Sequence, residues 1–411
     1  MKILHSKIDI YENGADEEPF TLNFVHEIQI ESSWRNFTDT AIISLPRFMQ
    51  KDLGETKLRD KLKKWSKDRP EIEVYLGYDL DKEDTPVNLA FKGIIRDVKG
   101  RTPIELICED HMYKLKTGLI NNIYDGKTVQ DLLADKVFSA KIKEGTIQLS
   151  DDIIDLNLGH FEVKEQTPMQ VLERLRDEYG LHSFIRCEKK GITYMPYLHI
   201  TATPHPKEKP PSKKEPRPVF QFYNNIIADQ LEYKSLEDVS VAVKYKITGK
   251  TVTDKKDISG KLLKENGEEV VIKEGITQTI SYTINTSEVD LSGGEDSDDG
   301  FSEEGFSTQY QSLADTKLKQ LVYEGFRGSL TTFGDVLYTG DTDVKTFGGF
   351  VRHGGVVELR EKEEKTEEEE THRNTDYYVD AVNYTFGQGG FRQEIILGKA
   401  VNEIKKEIKE N

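Results

Sequence analysis

Apolar and polar positions alternate with a period of two through the first quarter of the chain, the mark of half-buried strands. In "EIEVYLGY" Ile72, Val74 and Leu76 alternate with Glu71, Glu73 and Tyr75. "NLAFKGIIRDV" and "TPIELICED" carry the same character, the second setting Ile104, Leu106 and Cys108 on one face. Between the first strands and these, "KDLGETKLRDKLKKWSKDRPE" is basic and helix-permissive and stops near Pro70. Residues 1–118 thus predict a β-rich unit with one helical interruption.

The period then changes. In "GKTVQDLLADKV" Thr128 is an N-cap with Asp131 three residues on, close to a capping box, and Leu132, Leu133 and Val137 make the apolar side. "QTPMQVLERLRDEYG" is better marked: Thr167 caps, Pro168 takes the first helical position and Gly180 stops the helix. Its apolar stripe is Val171, Leu172, Leu175 and Tyr179. "LHSFIRCEKKGITYMPYLHI" follows as strand, turn at Lys189 to Gly191, and strand, so residues 119–202 predict a small α/β unit.

Residues 203–218, "TPHPKEKPPSKKEPRP", hold six of the 13 prolines and predict an extended linker unable to pair in a sheet. Lys209, Lys213, Lys214 and Arg217 make it locally basic, which suits a solvated spacer or a docking site for an acidic partner. β character returns over 219–400, with a polar, turn-rich interval at 250–312 and a helical face of Ala314, Leu318, Leu321 and Val322 ended by Gly325. The tail 401–411 sets Ile404 and Ile408 at helical spacing, as a frayed end or a short partner-binding helix.

"GSLTTFGDVLYTGDTDV" raises the question of a phosphate cradle. Gly328, Gly334 and Gly340 lie six apart, with no Gly-Lys-Ser/Thr and no helical period after them. Gly-Asp is instead a turn signal, so Gly334–Asp335 and Gly340–Asp341 punctuate strands. Gly387 to Gly390, with Gly389 between, is the turn of a later hairpin flanked by Phe386 and Phe391.

Composition narrows the classes. A chain of 411 residues suggests about two to four domains. Hydrophobic residues are 36% and charged residues 32%, as in a well-solvated protein, and no run approaches the roughly 20 apolar residues that cross a bilayer. The start lacks a secretory h-region, and Cys108 and Cys187 read as strand residues rather than a redox pair. A net charge of −17 argues against sequence-independent nucleic-acid binding. The acidic excess would either line a channel or keep the outer surface soluble. Asp296, Asp298 and Gly300 imitate a calcium loop, but Phe301 and Ser307 stand where Gly and Glu are needed. There is no HExxH, no zinc spacing and no GxSxG. The expectation is no catalysis, no cofactor and no metal.

The order of elements resembles the baseplate hub family of phage tails and contractile injection systems, also called phage late control D. The resemblance rests on "GIIRDVKGRTPIELICEDHMYKLK", then "KTVQDLLADKV" and "QTPMQVLERLRDEYGL". A Pro-rich break, "FQFYNNIIADQLEYK", "EGFRGSLTTFGDVLYTGD" and "YYVDAVNYTFGQGGFRQEIILG" complete it. It covers nearly the whole chain. It implies an α+β, mainly β chain of two tail-tube-like β-barrels, 1–118 and 219–400, with 119–202 as an inserted α/β domain. Gly328, Gly334, Asp335, Gly340, Asp341, Gly387, Gly389 and Gly390 would be turns of the second barrel. The implied protein is a homotrimeric adaptor between a six-fold tail tube and a three-fold spike. It would be assembled in the bacterial cytoplasm into a tail or injection particle, with a tape-measure protein and other baseplate proteins as further neighbours. Val336 stands where relatives often place proline, and 361–374 resembles an enlarged acidic loop. The chain ends soon after the second barrel, so the spike is expected to be a separate polypeptide. A tail-associated cell-wall hydrolase and a carbohydrate-binding β-module are the rival classes.

Overall fold

In the computed structural model, the structure describes residues 4–12, 18–46, 55–78, 89–100, 103–142, 146–149, 153–190, 193–203, 217–222, 224–234, 241–252, 263–265, 268–270, 272–284, 313, 325–334, 337–339, 346–347, 351–360, 373 and 375–401. The alternating segments of the first region fold as β1 (Leu4–Tyr11), β2 (Phe20–Leu22), β3 (Glu27–Ser33), β4 (Thr40–Leu45), β5 (Glu71–Tyr78), β6 (Leu89–Lys99) and β7 (Ile104–Glu109). Helix α1 (Glu55–Asp68) interrupts them and ends two residues before Pro70. The inward positions Ile72, Val74, Leu76, Ile104, Leu106 and Cys108 are all buried, as the alternation requires. Trp65 of α1 is fully buried among them, its Nε1–H donating to Glu12 Oε1 at 2.7 Å. The polar face of β5 is not the solvated face that the pattern suggests. Glu73 and Tyr75 are buried too, because a later hairpin lies over that side and Lys92 Nζ donates to Tyr194 O at 2.9 Å.

Residues His111–Lys116, expected in the first unit, form a 3-10 turn capped by Asp110 whose Met112 and Leu115 pack into the insert's core. The inserted region continues through β8 (Ile120–Asp125), α2 (Val129–Leu133), α3 (Lys136–Lys141) and β9 (Ile147–Leu149). It is completed by β10 (His160–Gln166), α4 (Pro168–Tyr179), β11 (His182–Lys190) and β12 (Thr193–Thr201). Thr128 and Asp131 form a reciprocal capping box on α2, and Thr167 with Gln170 does the same on α4. Gly180 closes α4 at φ +72°, the left-handed conformation in which glycine meets no Cβ penalty. Val171, Leu172, Leu175 and Tyr179 are buried in a second core with Phe138, Phe161 and Leu198, which also takes in Phe37 of the first region and Leu313.

The last region holds β13 (Arg217–Gln221), β14 (Ile226–Lys234), β15 (Val241–Val252), β16 (Leu263–Glu265), β17 (Glu268–Val270) and β18 (Ile272–Ile284). It continues with β19 (Gly325–Phe333), β20 (Leu337–Thr339), β21 (Thr346–Phe347), β22 (Val356–Arg360), β23 (Asp376–Gly387) and β24 (Gly390–Ala400). Two expectations need correction. Arg217 and Pro218, assigned to an unpaired linker, open β13 opposite Thr339 and Tyr338; proline is tolerated there because pairing with β22 on the other side begins only at Val219. Part of the polar interval at 250–312 is also strand, since β15 and β18 pair along most of their length.

Six strands of the first region and six of the last share one topology. The first run in space as β1-β5-β6-β7-β4-β3, the second as β13-β22-β23-β24-β19-β14. Matched position by position, the two sets also appear in the same order along the chain. Four of the five pairings are antiparallel in both; β1–β5 is antiparallel and β13–β22 parallel. Even an irregularity repeats. The β6–β7 register slips between Ile95 and Asp97, and the β23–β24 register slips between Val379 and Ala381. Just before each slip the Ile95 N–H donates to Pro70 O, and the Val379 N–H to Gly355 O. Both halves contribute to one apolar core, from Ile8, Ile30 and Ile95 on one side to Phe220, Leu330 and Val379 on the other. The expected pair of separate barrels is, among the described strands, one open sheet continuous through both halves.

Candidate functional site

The two halves meet along one seam. Past the end of β22, the hairpin of β23 and β24 projects into the first half, and Ala381–Gly387 pairs antiparallel with β3 from Ser33 to Glu27. The residue at the slip, Asp380, is buried and fastens the end of the seam. Its Oδ1 accepts from Trp34 Nε1 at 3.1 Å and its Oδ2 from Arg35 Nη2 at 2.5 Å, while Ser33 Oγ donates to its carbonyl. Trp34 packs edge-on against His182, which ties the seam to the insert.

Behind the seam lies a polar junction where all three regions touch. Arg186 of β11 donates to His353 O at 2.5 Å. Arg352 donates to Cys187 O at 2.8 Å and to Leu89 O at 3.2 Å, so one guanidinium bridges insert and first half from the second half. Asp39 and Asp110 lie side by side: the Asp39 N–H donates to Asp110 Oδ2, and the Asp110 N–H to Asp39 O. Burial pushes the Asp39 carboxyl up to about 6 against hydrogen bonds from Ser32 and Ser33, and burial raises Asp110 well above the carboxylate range. Burial beside Arg186 holds His199 down to about 4, and burial beside Arg186 and Arg352 holds His353 down to about 3. Phe184 stacks on His199 and meets His353 edge-on.

A buried and a half-buried carboxyl, two imidazoles and a thiol in one place invite a catalytic reading. The space tells against it. The cavity between Asp39, Asp110, Arg186, Arg352 and His353 is about 50 Å³, enough for a water or two, whereas ligand pockets run from roughly 300 Å³ upward. Burial also pushes the Cys187 thiol up to about 12, away from the thiolate a nucleophile needs. The two guanidiniums and the Asp39–Asp110 pair tie one segment of the chain to another, while His353 Nδ1 is buried without a hydrogen-bond partner. Among the described residues no cluster of His, Cys, Asp and Glu has the grouping of a metal site, and no helix is long and apolar enough to cross a membrane.

The glycines divide. Gly387 and Gly390 face each other at the tip of the β23–β24 hairpin, with Gly389 between them and Gly390 at φ +94°. Gly334 follows β19 and packs so tightly on Phe391 that a Cβ would enter its ring. Gly328 is no turn residue: it lies inside β19, paired to Leu231 and Leu397, at φ +135°, where a Cβ would stand 2.0 Å from Gln230 O. Asp335, Gly340, Asp341, Lys209, Lys213, Lys214, Ile404 and Ile408 lie outside the described residues, as do Ala314, Val336 and the Asp296–Ser307 loop; Arg217 is described as backbone alone. The seam and the junction escaped sequence reasoning, since their members stand up to 347 residues apart.

No protein-family model matches the chain, and no curated protein matches it in sequence. Among solved structures it is similar to the tail protein from Neisseria meningitidis MC58, at 14% identity over 97% of each chain and a TM-score of 0.52. It is also similar to the 43 kDa tail protein of prophage MuSo2 from Shewanella oneidensis, at 11% identity over 96% of this chain and 97% of that one, with a TM-score of 0.48. The E. coli c3393 protein, a component of the type VI secretion system, is similar at 8% identity over 95% of this chain and 76% of its own, with a TM-score of 0.42. The chain has the fold of the Neisseria tail protein.

Proposed function

We propose that this chain, built on a tail-protein fold, is a structural baseplate hub: a homotrimer that joins a tail tube to a spike and surrounds a central channel. The observation that carries the reading is the repeated six-strand topology, joined within one chain by the β3–β23 seam. A part that meets six-fold symmetry on one side and three-fold on the other needs two equivalent modules per chain, and the repeat supplies two. The expected barrels are these modules completed by strand pairing with neighbours, which covers sheet edges that would otherwise template aggregation. Closed cyclic symmetry then prevents filaments. The junction ties the insert to both modules through Arg186 and Arg352, which favours a structural role over a hydrolase or a carbohydrate-binding module. Its working location is the tail or injection particle, with spike, tube and other baseplate proteins as partners.

The test is assembly. Light scattering on the full chain, alone and co-expressed with a candidate spike protein, is expected to give a trimer in at least the second condition. A monomeric mass in both, or a lytic band on peptidoglycan zymography that disappears on changing one His or Glu, overturns the reading.

A further inference from the structure

The repeat makes the seam's missing counterpart visible. Within the chain, the last strand of the first half, β3, pairs with the projecting part of β23. The equivalents are β14 for β3 and β6 for β23. Among the described residues β14 pairs only with β19, and β6 beyond Ile95 pairs only with β7. Each half of a second seam is therefore present and unjoined. Among the described strands the two do not join within one chain: β7, β4, β3, β23, β24 and β19 stand between them along the sheet, and its two edges do not pair.

We propose that β14 of one copy pairs antiparallel with Asp97–Lys99 of β6 in a second copy of this chain, in the register of the β3–β23 seam. The register follows from the shared pairings. Ile95 and Val379 are equivalent, so their partners Cys108 and Leu397 are, and in turn Ala41 and Gly328, then Ile30 and Leu231. Ser33 opposite Ala381 then becomes Lys234 opposite Asp97, and Glu31 opposite Asn383 becomes Glu232 opposite Lys99. Both transferred pairs bring opposite charges together, which the alignment of backbone pairings did not presuppose; directly opposed unlike charges favour a strand pair and like charges disfavour it. The surfaces are those of an open edge. On β14 Ile227 and Tyr233 are each 45% exposed, and on β6 the Val98 N–H donates to the carboxylate of Asp97 at 2.8 Å. The contact is head-to-tail, so it propagates around a ring.

This deepens the hub reading and rests on it for the number of copies. With the Val98 N–H turned to the edge, Lys99 and Glu232 form a non-hydrogen-bonded pair. The Cα atoms of such a pair are about 4.5 Å apart, within disulfide reach. The full chain carrying both Lys99→Cys and Glu232→Cys is oxidised under mild conditions and run on a non-reducing gel. Covalent multimers are expected, while an equimolar mixture of the two single variants stops at dimer. Neither single variant alone cross-links, nor does Lys99→Cys with Tyr233→Cys, which moves one thiol to the opposite face. In a separate series without cysteines, Lys99→Glu and Glu232→Lys each weaken self-association at least tenfold, and the double reversal restores it. Absence of the cross-link, or equal cross-linking at the shifted position, overturns the surface. Light scattering on the same samples, with and without a co-expressed spike protein, separates the failures: a trimer without cross-link leaves the hub reading standing, and a strict monomer in both conditions removes both.

Discussion

The two halves of this molecule share a strand order and differ in what closes it. The first half lends its terminal strand β3 to the second and is covered on its outer face by the insert, through Lys92 and Tyr194. In the second half the terminal strand β14 is open among the described residues, and its β19 carries a glycine where the first half has Ala41. One topology thus tolerates opposite local solutions. The lesson is that pairing order is the inherited feature, while burial of each strand is set by what the neighbouring unit supplies.

The largest test of that difference is at the seam. Asp380→Ala leaves the Trp34 indole N–H and the Arg35 guanidinium facing an apolar gap in a place where only the Arg35 side is wet. Breaking a buried pair in this way costs about 3–5 kcal/mol, and the exposure of Arg35 puts the expected loss near the lower figure. Urea unfolding followed by Trp34 fluorescence, in a Trp65→Phe background, reads it directly. A loss under about 1 kcal/mol means the halves are held by the shared core alone.

Next comes the equivalent pair Ala41 and Gly328. Gly328→Ala forces a Cβ against Gln230 O at a backbone angle that L-residues avoid, for an expected cost of about 3 kcal/mol. Ala41→Gly loses strand propensity and one buried methyl, about 1.5 kcal/mol in all. Equal effects at the two sites in the same denaturation assay break the claim that they are equivalent positions with different local constraints.

Gly328 also marks where sequence stops being informative. A glycine near a Gly-Asp pair reads as a turn, and only the close approach of the Gln230 carbonyl, one strand away, explains it as a strand residue. Helix ends were legible because caps are local: Thr128 with Asp131, and Thr167 to Gly180, carry their partners within a few residues. Strand existence was legible from alternation, and so was the inward face of β5. Its outward face was misread, since burial of Glu73 depends on a hairpin more than 100 residues later. The strand repeat was hidden for the same reason. β5 and β22 share alternation and a buried glutamate, Glu73 and Glu358, and little else that a reader of one sequence could align.

Acid response separates the junction from the first half. The unfolded chain binds protons on its imidazoles below about pH 6.5. Folded His353 and His199 resist until about 3 and about 4, so stability falls as pH drops from about 6.5 toward 4. Asp39 acts in the opposite sense. Held at about 6 when folded, it keeps a proton that the unfolded chain releases above about pH 4, so stability falls as pH rises between those values. His353→Gln is expected to lose about 2 kcal/mol less than the parent between pH 6.5 and 4, and Asp39→Asn to gain stability at pH 7. In the first half, hydrogen bonds from His111 and Lys114 hold Glu71 at about 2, so its contribution is kept until pH falls below the ordinary glutamate range. Identical acid profiles for His353→Gln and the parent would show that the junction imidazoles do not govern this limb.

The smallest effect, and the finest comparison, is between Glu73 and Glu358, which sit at matching places on β5 and β22. Glu73 accepts from Lys92 at 2.6 Å, from Tyr75 at 2.5 Å and from Tyr11 at 3.0 Å. Burial opposes its ionisation, yet the bonds from Lys92 and Tyr75 outweigh it and hold the carboxyl below its usual value. Glu358 accepts from Arg360 on its own strand at 2.6 Å, and the Arg360 side chain keeps 29% of its surface in water. Glu73→Gln leaves a mostly buried ammonium without its counter-charge, so about 2 kcal/mol is expected; Glu358→Gln leaves a hydrated arginine, so about 1 kcal/mol. The pH dependence gives a second reading of the same asymmetry. The Glu73 contribution is present above the ordinary glutamate value and is lost as pH falls through its lowered one, a limb that Glu73→Gln flattens. If the two glutamines cost the same, cover by the insert is not what distinguishes the halves. A larger cost at Glu358 would reverse the comparison and make the open half the more tightly held of the two.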